Sequence, residues 1–293
     1  NMNLRLTNRD DENTINFNKL LEYGRVGFTE YDNDNNVIIS CPRQIQNDCM
    51  VILNNRRRTR NELNTNTELF RKYDNSLKTC HTNNEVDEIN NSKISELKEN
   101  GNMNRIFERE IMEFEDFRER YSSSINDTSS VYESIKKFMD NLQGYKVEFD
   151  AVVGERVMLR VNNIHPQLRN GSLGTIVNIC DDCIEINFDK LSENILVKKN
   201  IWKHPEFSEF TVRAFPLIPA WAITTHKLQG QTIDGDLFIH FDMIGPEKPH
   251  LLYTAISRIT DIRNLYIICN TPIKADHFNT TPICLEWYYK MLN

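Results

Sequence analysis

Residues Ala222 to Thr232 read AITTHKLQGQT, and they join one apolar run to another, Leu237 to Phe241. A connection between two buried segments is usually a short turn or a plain helix. This one instead carries three threonines, a histidine, a lysine, two glutamines and a glycine. Ligands bind at the carboxyl ends of strands in open α/β sheets. The stretch therefore predicts a ligand-binding connection within an α/β fold.

The polar groups of this loop suit a phosphate-bearing ligand. Thr224 and Thr225 can donate hydroxyl hydrogens and cap the next turn, and His226 and Lys227 can reach phosphates. Gln229 can bridge two groups at once, and the glycine after it lets a backbone approach closely. The loop alone is equally typical of a helix cap followed by a solvated turn.

Apolar segments on either side of the loop predict a sheet buried on both faces. Phe215 to Ile223 is an apolar run, but its prolines limit any strand there to Ala220–Ile223. Leu265 to Cys269 is a further buried strand, and Pro249 opens a helix ahead of it. This order of strand, helix and strand is typical of an α/β domain.

The amino-terminal part predicts helices and short strands. Residues 11–23 have helical spacing that Gly24 ends, and Val37–Ile39 and Met50–Leu53 are strand candidates. The dense basic run from Arg56 to Arg60 is most simply a solvated loop.

In the middle of the chain, the spacing of the apolar residues changes from that of helices to that of strands. Thr82 and Glu85 form a capping box ahead of an amphipathic helix, and Asn104–Tyr121 predicts another helix. From about Asp150, short strands separated by glycine turns predict a small β-barrel of roughly 60 residues. These strands are Val157–Val161, Thr175–Ile179, Ile184–Phe188 and Ile195–Val197.

Composition and charge limit the class of protein. The 293 residues carry a net charge of −7, so a polyanionic partner must be held by a local groove. Seven cysteines without a secretory leader predict reduced thiols in an intracellular protein. No apolar run is long enough to span a membrane, so we expect no membrane partner. None of the ten glycines belongs to a GxxxxGK[ST] phosphate loop. The chain has a single CxxC, from Cys180 to Cys183, and its simplest interpretation is two thiols that flank a turn. No metal site is predicted.

A second polar segment ends the helix that follows Pro249. Tyr253 to Arg258 reads YTAISR. An arginine fixed at the end of an element can stabilise charge on a transferring phosphoryl group. On Arg258 alone, a surface ion pair with Asp261 is the simpler interpretation.

Together the two segments resemble motifs V and VI of superfamily 1 helicases of the 5′-to-3′ branch, in the PIF-type (petite-integration-frequency) family and, next, the RecD-like helicases. In that family the first segment has approximately the sequence AWAITIHKSQGLTLD, and Ala220–Asp234 has the sequence AWAITTHKLQGQTID. The second segment is approximately YVALSR in the family and YTAISR in this chain. Leu228 and Gln231 depart from the family pattern.

The resemblance continues upstream over most of the chain. Residues 154–174 are similar to the barrel signature GxxVMLxxN…LxNGxxG, and residues 82–90 to TNxxVDxIN. The opening NMNLRL is similar to NMRL with one residue inserted. The resemblance implies the second RecA-like lobe of the motor with an inserted Src-homology-3-like β-barrel, arranged as lobe (1–99), helical insertion (100–149), barrel (150–210) and the rest of the lobe (211–293).

The resemblance also implies roles for particular residues. Arg258 and Arg5 would be the arginines offered to the γ-phosphate of ATP, whose Mg²⁺ would be bound mainly by a first lobe preceding Asn1. Gln229, Gly230 and Thr232 would couple the nucleotide to the nucleic acid. The residues implied for nucleic-acid contact are Thr224, Thr225, His226, Lys227, Thr82 and Asn83.

The expected function is the C-terminal motor portion of an ATP-dependent DNA helicase acting in repair, recombination or replication. Its partners would be single-stranded DNA, duplex junctions and the missing first lobe, at nuclear DNA or at viral or mobile-element DNA. The alternatives are a nucleic-acid-binding lobe without ATPase activity and a lobe of a related RNA helicase. Because the chain has no phosphate loop, we expect no ATP hydrolysis by this polypeptide alone.

Overall fold

The computed structural model describes residues 12–26, 30–31, 37–38, 41–112, 128–142, 148–208, 210–241 and 249–278. Their contacts divide the chain into two compact units. The first unit combines the residues up to Ile89 with those from Trp221 onward, and the second runs from Asn90 to Ala220. The resemblance places its boundaries elsewhere, at 99, 149 and 210, and those boundaries stay a prediction.

The first unit is built on a parallel sheet. Its elements are α1 (Glu12–Val26), β1 (Glu30–Tyr31), β2 (Val37–Ile38), α2 (Arg43–Arg56), β3 (Arg57–Arg58), α3 (Arg60–Thr65), α4 (Thr67–Asn75), β4 (Leu77–Cys80) and the start of α5 (Asn83–Glu99), then β15 (Ala222–Thr224), β16 (Leu237–His240), α7 (Pro249–Ile256), β17 (Leu265–Ile268) and the 3-10 helices Ile262–Asn264 and Ala275–Phe278. The five strands of the sheet run β15-β4-β16-β17-β3, all parallel.

Burial explains the apolar residues of β15, β16 and β17. Ala222 and Ile223 are buried, and so are Leu237, Phe238 and Ile239 in the next-but-one strand. The Phe238 ring stacks on Tyr266 with ring centroids 4.4 Å apart. The predicted α/β class with a parallel sheet is confirmed.

The second unit is mainly antiparallel. It contains the rest of α5, β5 (Asn104–Glu108), β6 (Glu110–Met112), α6 (Thr128–Asn141), β7 (Glu148–Val152), β8 (Arg156–Leu159), β9 (Leu173–Ile179), β10 (Cys183–Phe188), β11 (Asn194–Lys198), β12 (Asn200–Lys203), β13 (Thr211–Ala214) and β14 (Leu217–Pro219). Its largest sheet has the order β11-β10-β9-β8-β14. The four strands predicted after Asp150 are confirmed, whereas closure into a Src-homology-3-like barrel stays a prediction.

Three predictions for the amino-terminal part are wrong. Met50–Leu53 belongs to helix α2, because Cys49 and Leu53 bury one helical face with i, i+4 spacing. Gly24 does not end α1, since it packs inside the unit, where a Cβ would lie 3.2 Å from Phe278 Cδ1. The basic run is not a solvated loop, because β3 pairs with β17 and the Arg57 guanidinium donates to main-chain carbonyls of the following turn.

Two predictions for the second unit are also wrong. The described part of Asn104–Tyr121 forms strands β5 and β6, since β5 alternates an outward Ile106 with a buried Phe107 and pairs with β7. Long-range pairing therefore overrides the helical spacing. A strand also forms at Leu217–Pro219 despite the proline, because β14 lies at the edge of its sheet.

Candidate nucleotide and nucleic-acid site

Two polar loops leave the same corner of the parallel sheet. Strands β4 and β15 are neighbours, with Cys80 opposite Thr224 at their carboxyl ends. The segment beginning at Thr82 therefore emerges beside the segment beginning at Thr225. The structure thus brings together two stretches that lie more than a hundred residues apart in the sequence.

Thr225 is the buried anchor of this corner. Its side chain is fully buried, and its hydroxyl shares a hydrogen bond with the Thr79 hydroxyl at 3.1 Å. Its backbone N–H donates to the Cys80 carbonyl oxygen at 3.0 Å. The hydroxyl implied for nucleic-acid contact therefore points into the sheet and joins β15 to β4.

The turn after Thr225 presents the histidine outward. Thr224 is buried, and its hydroxyl oxygen accepts the Lys227 N–H at 3.4 Å. Leu228 is fully buried, which accounts for an apolar residue at a position where the family pattern has a small polar one. With the turn fixed on both sides, His226 is exposed and Lys227 is half-buried.

Thr82 caps helix α5 as the sequence predicts. Its hydroxyl oxygen accepts the Glu85 N–H at 3.3 Å, and the Glu85 carboxylate accepts the Thr82 N–H at 3.2 Å. Asn83 follows as an exposed residue of the first turn. Exposed N–H groups at a helix amino terminus attract anions, so this side of the corner also suits a phosphate.

The rest of the loop crosses from one edge of the sheet to the other. Because β15 and β16 are parallel, the chain must return from the carboxyl edge to the amino edge between them. Gln229 is exposed along this crossover, and Gly230 takes a φ of 80°, which favours glycine. Thr232 is half-buried near the end of the crossover.

The crossover ends in a direct contact with the second motif. Ile233 forms an isolated parallel bridge with Ile259, and its N–H donates to the carbonyl oxygen of Arg258 at 2.9 Å. The Thr260 N–H donates to the Ile233 carbonyl oxygen at 3.1 Å, and the Asn264 side-chain amide donates to the Asp234 carbonyl oxygen at 3.2 Å, just before β16 and β17 begin. The two motifs found in the sequence are therefore joined by main-chain hydrogen bonds at the amino edge of the sheet.

Arg258 is held at the end of helix α7 by its neighbours. Its Nε donates to the Thr254 carbonyl oxygen and to the Ser257 hydroxyl, both at 3.1 Å, and its Nη2 donates to the same hydroxyl at 2.7 Å. Asp261 is bound by another arginine, since Arg263 donates to both of its carboxylate oxygens. That contact holds the pKa of Asp261 below its usual range.

This chain has relatives among helicases of known sequence and structure. It is 30% identical over 194 residues to the ATP-dependent DNA helicase Pif1 of Bdellovibrio bacteriovorus, a stretch that covers 62% of this chain and 43% of that protein. The structure matches that of Bacteroides sp Pif1 in complex with ADP-AlF4 with a TM-score of 0.61 and 22% identity, over 98% of this chain and 56% of that one. The chain resembles Pif1 helicases.

Two further Pif1 structures agree with this likeness. Bacteroides Pif1 bound to ssDNA matches with a TM-score of 0.59 and 20% identity, over 98% of this chain and 55% of that one. Candida albicans Pif1 matches with a TM-score of 0.55 and 17% identity, over 93% of this chain and 56% of that one. The chain spans about half the length of these relatives, and its parallel sheet fits the RecA-like lobe of a Pif1 fold. No protein-family model matches the chain.

The predicted site residues are distributed along one connection, the crossover between β15 and β16, and at the segment that it contacts. The residues proposed for nucleic acid lie at the carboxyl edge, and Thr232 and Arg258 lie toward the amino edge. Arg5 lies outside the described residues. Within the described ranges, no group of three or more His, Cys, Asp or Glu side chains could hold a metal ion, and no helix is long and apolar enough to span a membrane.

The sequence analysis did not identify the residues that hold these site residues in place. Thr79 anchors Thr225, Ser257 fixes the guanidinium of Arg258, and Thr260 is buried with its hydroxyl donating to the Ile233 carbonyl at 3.3 Å. Ser257 stands inside the quoted YTAISR motif, and its place beside the arginine was a usable signal. Nothing in the sequence marks Thr79 or Thr260, because their roles depend on strand pairing.

Proposed function

We propose that this chain is the second motor lobe of an ATP-dependent DNA helicase that moves 5′-to-3′ along single-stranded DNA. The observation that carries the proposal is the main-chain link between Ile233 and Arg258. A displacement of the arginine by nucleotide is transmitted through this link to the crossover, and along the crossover to the turn that carries His226. The Pif1 likeness supports the DNA helicase class.

The carboxyl edge is the proposed single-strand contact. His226 is exposed and Lys227 half-buried on a turn that buried Thr225 and Leu228 hold in place. A fixed turn loses less side-chain entropy on binding than a mobile loop does. Contacts with the strand are chiefly to phosphates, since Lys and main-chain N–H groups bind backbone charge without reading sequence. In this proposal Thr225 positions the turn and does not touch the strand.

The amino edge is the proposed nucleotide contact. The Ser257 hydroxyl and the Thr254 carbonyl fix the plane of the Arg258 guanidinium, which is pre-organised to stabilise charge on a γ-phosphoryl group. ATP fits this edge as a substrate shared with another lobe. In this proposal, which follows the resemblance to PIF-type helicases, the Mg²⁺ ligands and the phosphate loop belong to a first lobe.

Two more features complete the proposal. The antiparallel sheet of the second unit is the Src-homology-3-like barrel, whose signature includes Gly174 and runs through Arg156 at a variable position. Arg156 donates to both carboxylate oxygens of Asp189, and Gly174 is packed so closely that a Cβ would lie 2.7 Å from Ile186 Cγ2.

The location that we propose for the protein is inside the cell, at nuclear, viral or mobile-element DNA.

Binding of a labelled single-stranded oligonucleotide, measured by fluorescence anisotropy across a salt series, tests the contact at the carboxyl edge. Lys227→Ala is expected to weaken binding and to lower the slope of log K against log salt by about 0.7, the value for one phosphate of a single strand. Lys203→Ala, which removes an exposed lysine of the second unit, is the matched control and should leave the slope unchanged. Equal slopes for all three proteins would rule out the assigned contact.

A comparison of DNA with RNA of the same sequence tests the substrate class. The proposal predicts tighter binding and stronger stimulation of ATP hydrolysis by DNA in the complete motor. Stronger stimulation by RNA would favour the RNA helicase alternative, and strand binding without any hydrolysis in the complete motor would favour a binding lobe.

A further inference from the structure

The second unit carries two thiols that face each other at the end of a hairpin. Cys180 and Cys183 flank the turn between β9 and β10, separated only by Asp181 and Asp182. The Cys180 N–H donates to the Cys183 carbonyl oxygen at 2.9 Å. The next pair along the ladder, Ile179 with Ile184, continues the antiparallel register, so the two cysteines are opposed residues of the hairpin.

These two cysteines differ from the other cysteines in the described ranges. Four of the six are buried, namely Cys41, Cys49, Cys80 and Cys269. Burial raises the pKa of Cys49 and of Cys80 to about 12, so both remain protonated and unreactive at neutral pH. Cys180 and Cys183 are each partly exposed. The accessible thiols of the described chain are therefore next to each other.

The backbone geometry of the pair suits a disulfide. Opposed residues that share ladder hydrogen bonds have Cα atoms about 5.5 Å apart, and disulfides form at Cα separations of about 4.4–6.8 Å. Ile184 and Ile186 point into the core, so Cys183 lies on the other, solvent-facing side of β10. A bond between the sulfurs needs no change in the ladder or in the core.

Neighbouring groups raise the pKa of Cys183 and surround the pair with charge. The Cys183 thiol is hydrogen-bonded to the Cys180 sulfur, which raises the pKa of Cys183, and Asp182 acts in the same direction. Lys198, which stands opposite Cys183 on β11, acts against them. Asp181 faces Arg105 of β5, whose guanidinium donates to its carboxylate at 2.5 Å. The pair therefore has charges of both signs around it.

We propose that Cys180 and Cys183 are a reversible dithiol–disulfide site that is oxidised by small-molecule disulfides. The Cys180 thiolate attacks one sulfur of the oxidant, forming a mixed disulfide and releasing one thiolate. The Cys183 thiol then loses its proton and attacks the Cys180 sulfur, releasing the second thiolate. The two cysteines are oxidised, the oxidant is reduced to two thiols, and added dithiol reverses both steps.

Redox titration of the full chain tests this site. The protein is equilibrated with mixtures of oxidised and reduced glutathione, the remaining thiols are alkylated, and peptides are mapped by mass. We expect the peptide with residues 180 to 183 to lose two hydrogen atoms and resist alkylation, while Cys49 and Cys80 become alkylated only after unfolding. The folded chain is expected to favour closure on the order of tenfold more than the urea-unfolded chain, a difference of about 30 mV.

The two single variants keep the result interpretable. Cys180→Ser and Cys183→Ser preserve size and polarity at partly exposed positions, and each should retain one mixed disulfide with glutathione that does not resolve. Equal closure in the folded and unfolded chains would show that the hairpin does not hold the thiols together and would overturn the proposal. So would two separate glutathione adducts on the folded wild-type chain.

Discussion

Replacing Thr225 by valine removes one hydroxyl from the most completely buried part of the candidate site. Both Thr225 and its partner Thr79 are 0% exposed, and their hydroxyl oxygens lie 3.1 Å apart. The valine side chain fills nearly the same volume, so no cavity contributes to the cost. The Thr79 hydroxyl then loses its partner in the other strand.

The expected magnitude follows from that orphaned hydroxyl. A buried polar group left without its partner costs about 1–3 kcal/mol, whereas replacing both partners by apolar groups of the same shape is nearly neutral. Thr225→Val should therefore destabilise the link between β4 and β15 by about 2 kcal/mol. The double variant Thr79→Val/Thr225→Val should recover most of that loss, giving a coupling energy of about 1–2 kcal/mol.

Hydrogen exchange measured by mass spectrometry is the suitable assay, because it reports the opening of β4 and β15 separately from the rest of the chain. Amides of β4 and β15 should exchange roughly tenfold to thirtyfold faster in Thr225→Val, since each 1.4 kcal/mol is a factor of ten. Amides of β9 and β10, in the other unit, are the internal control. Unchanged protection in Thr225→Val, or costs that simply add in the double variant, would refute the assignment of Thr225 as a buried anchor.

Three smaller perturbations follow from the same structure. Gly230→Ala should cost the first unit about 1 kcal/mol by calorimetry, through its positive φ alone, because a Cβ there meets no atom within 4 Å; Gly230→Asn should cost less, and equal costs would contradict this. Gly174→Ala should destabilise the second unit by about 1–3 kcal/mol in urea, because its Cβ would lie 2.7 Å from Ile186 Cγ2 and 2.8 Å from the Asn187 carbonyl oxygen; a neutral result would contradict this close packing. Asp261→Asn should lower stability at neutral pH. Since the contact with Arg263 depresses the folded-state pKa of Asp261, that stability is present above the ordinary pKa of about 3.9 and is lost as pH falls through the folded value; thermal melts of both proteins should therefore converge in acid, and a constant difference would contradict the ion-pair account.

The sequence was sufficient for three strands of the parallel sheet, β15, β16 and β17, and for the two motifs. Leu237–His240 and Leu265–Ile268 are apolar because both faces are buried, and that signal is local. The capping box at Thr82 is local as well. These elements were predictable because nearby residues alone determine them.

The remaining features depend on contacts between distant residues. Arg57 and Arg58 form a strand only because β17 offers a partner edge, and Phe107 sits in a strand only because β7 pairs beside it. For the same reason the sequence suggested that Thr225 contacts a ligand, while the structure turns its hydroxyl toward Thr79. Strand pairing cannot be read from the composition of one segment.

The most direct test of the central claim is ATP hydrolysis by one polypeptide in which a phosphate-loop lobe precedes this chain. With saturating single-stranded DNA, Arg258→Ala is expected to lower kcat on the order of 10³-fold, as for loss of an arginine finger, while its affinity for DNA stays within about twofold of the unmodified motor. Arg71→Ala, at an exposed position of α4, is the control and should hydrolyse ATP normally. If Arg258→Ala keeps the full DNA-stimulated rate, or if this chain alone hydrolyses ATP in a manner that Arg258→Ala abolishes, the account of a shared nucleotide site linked to the crossover is contradicted.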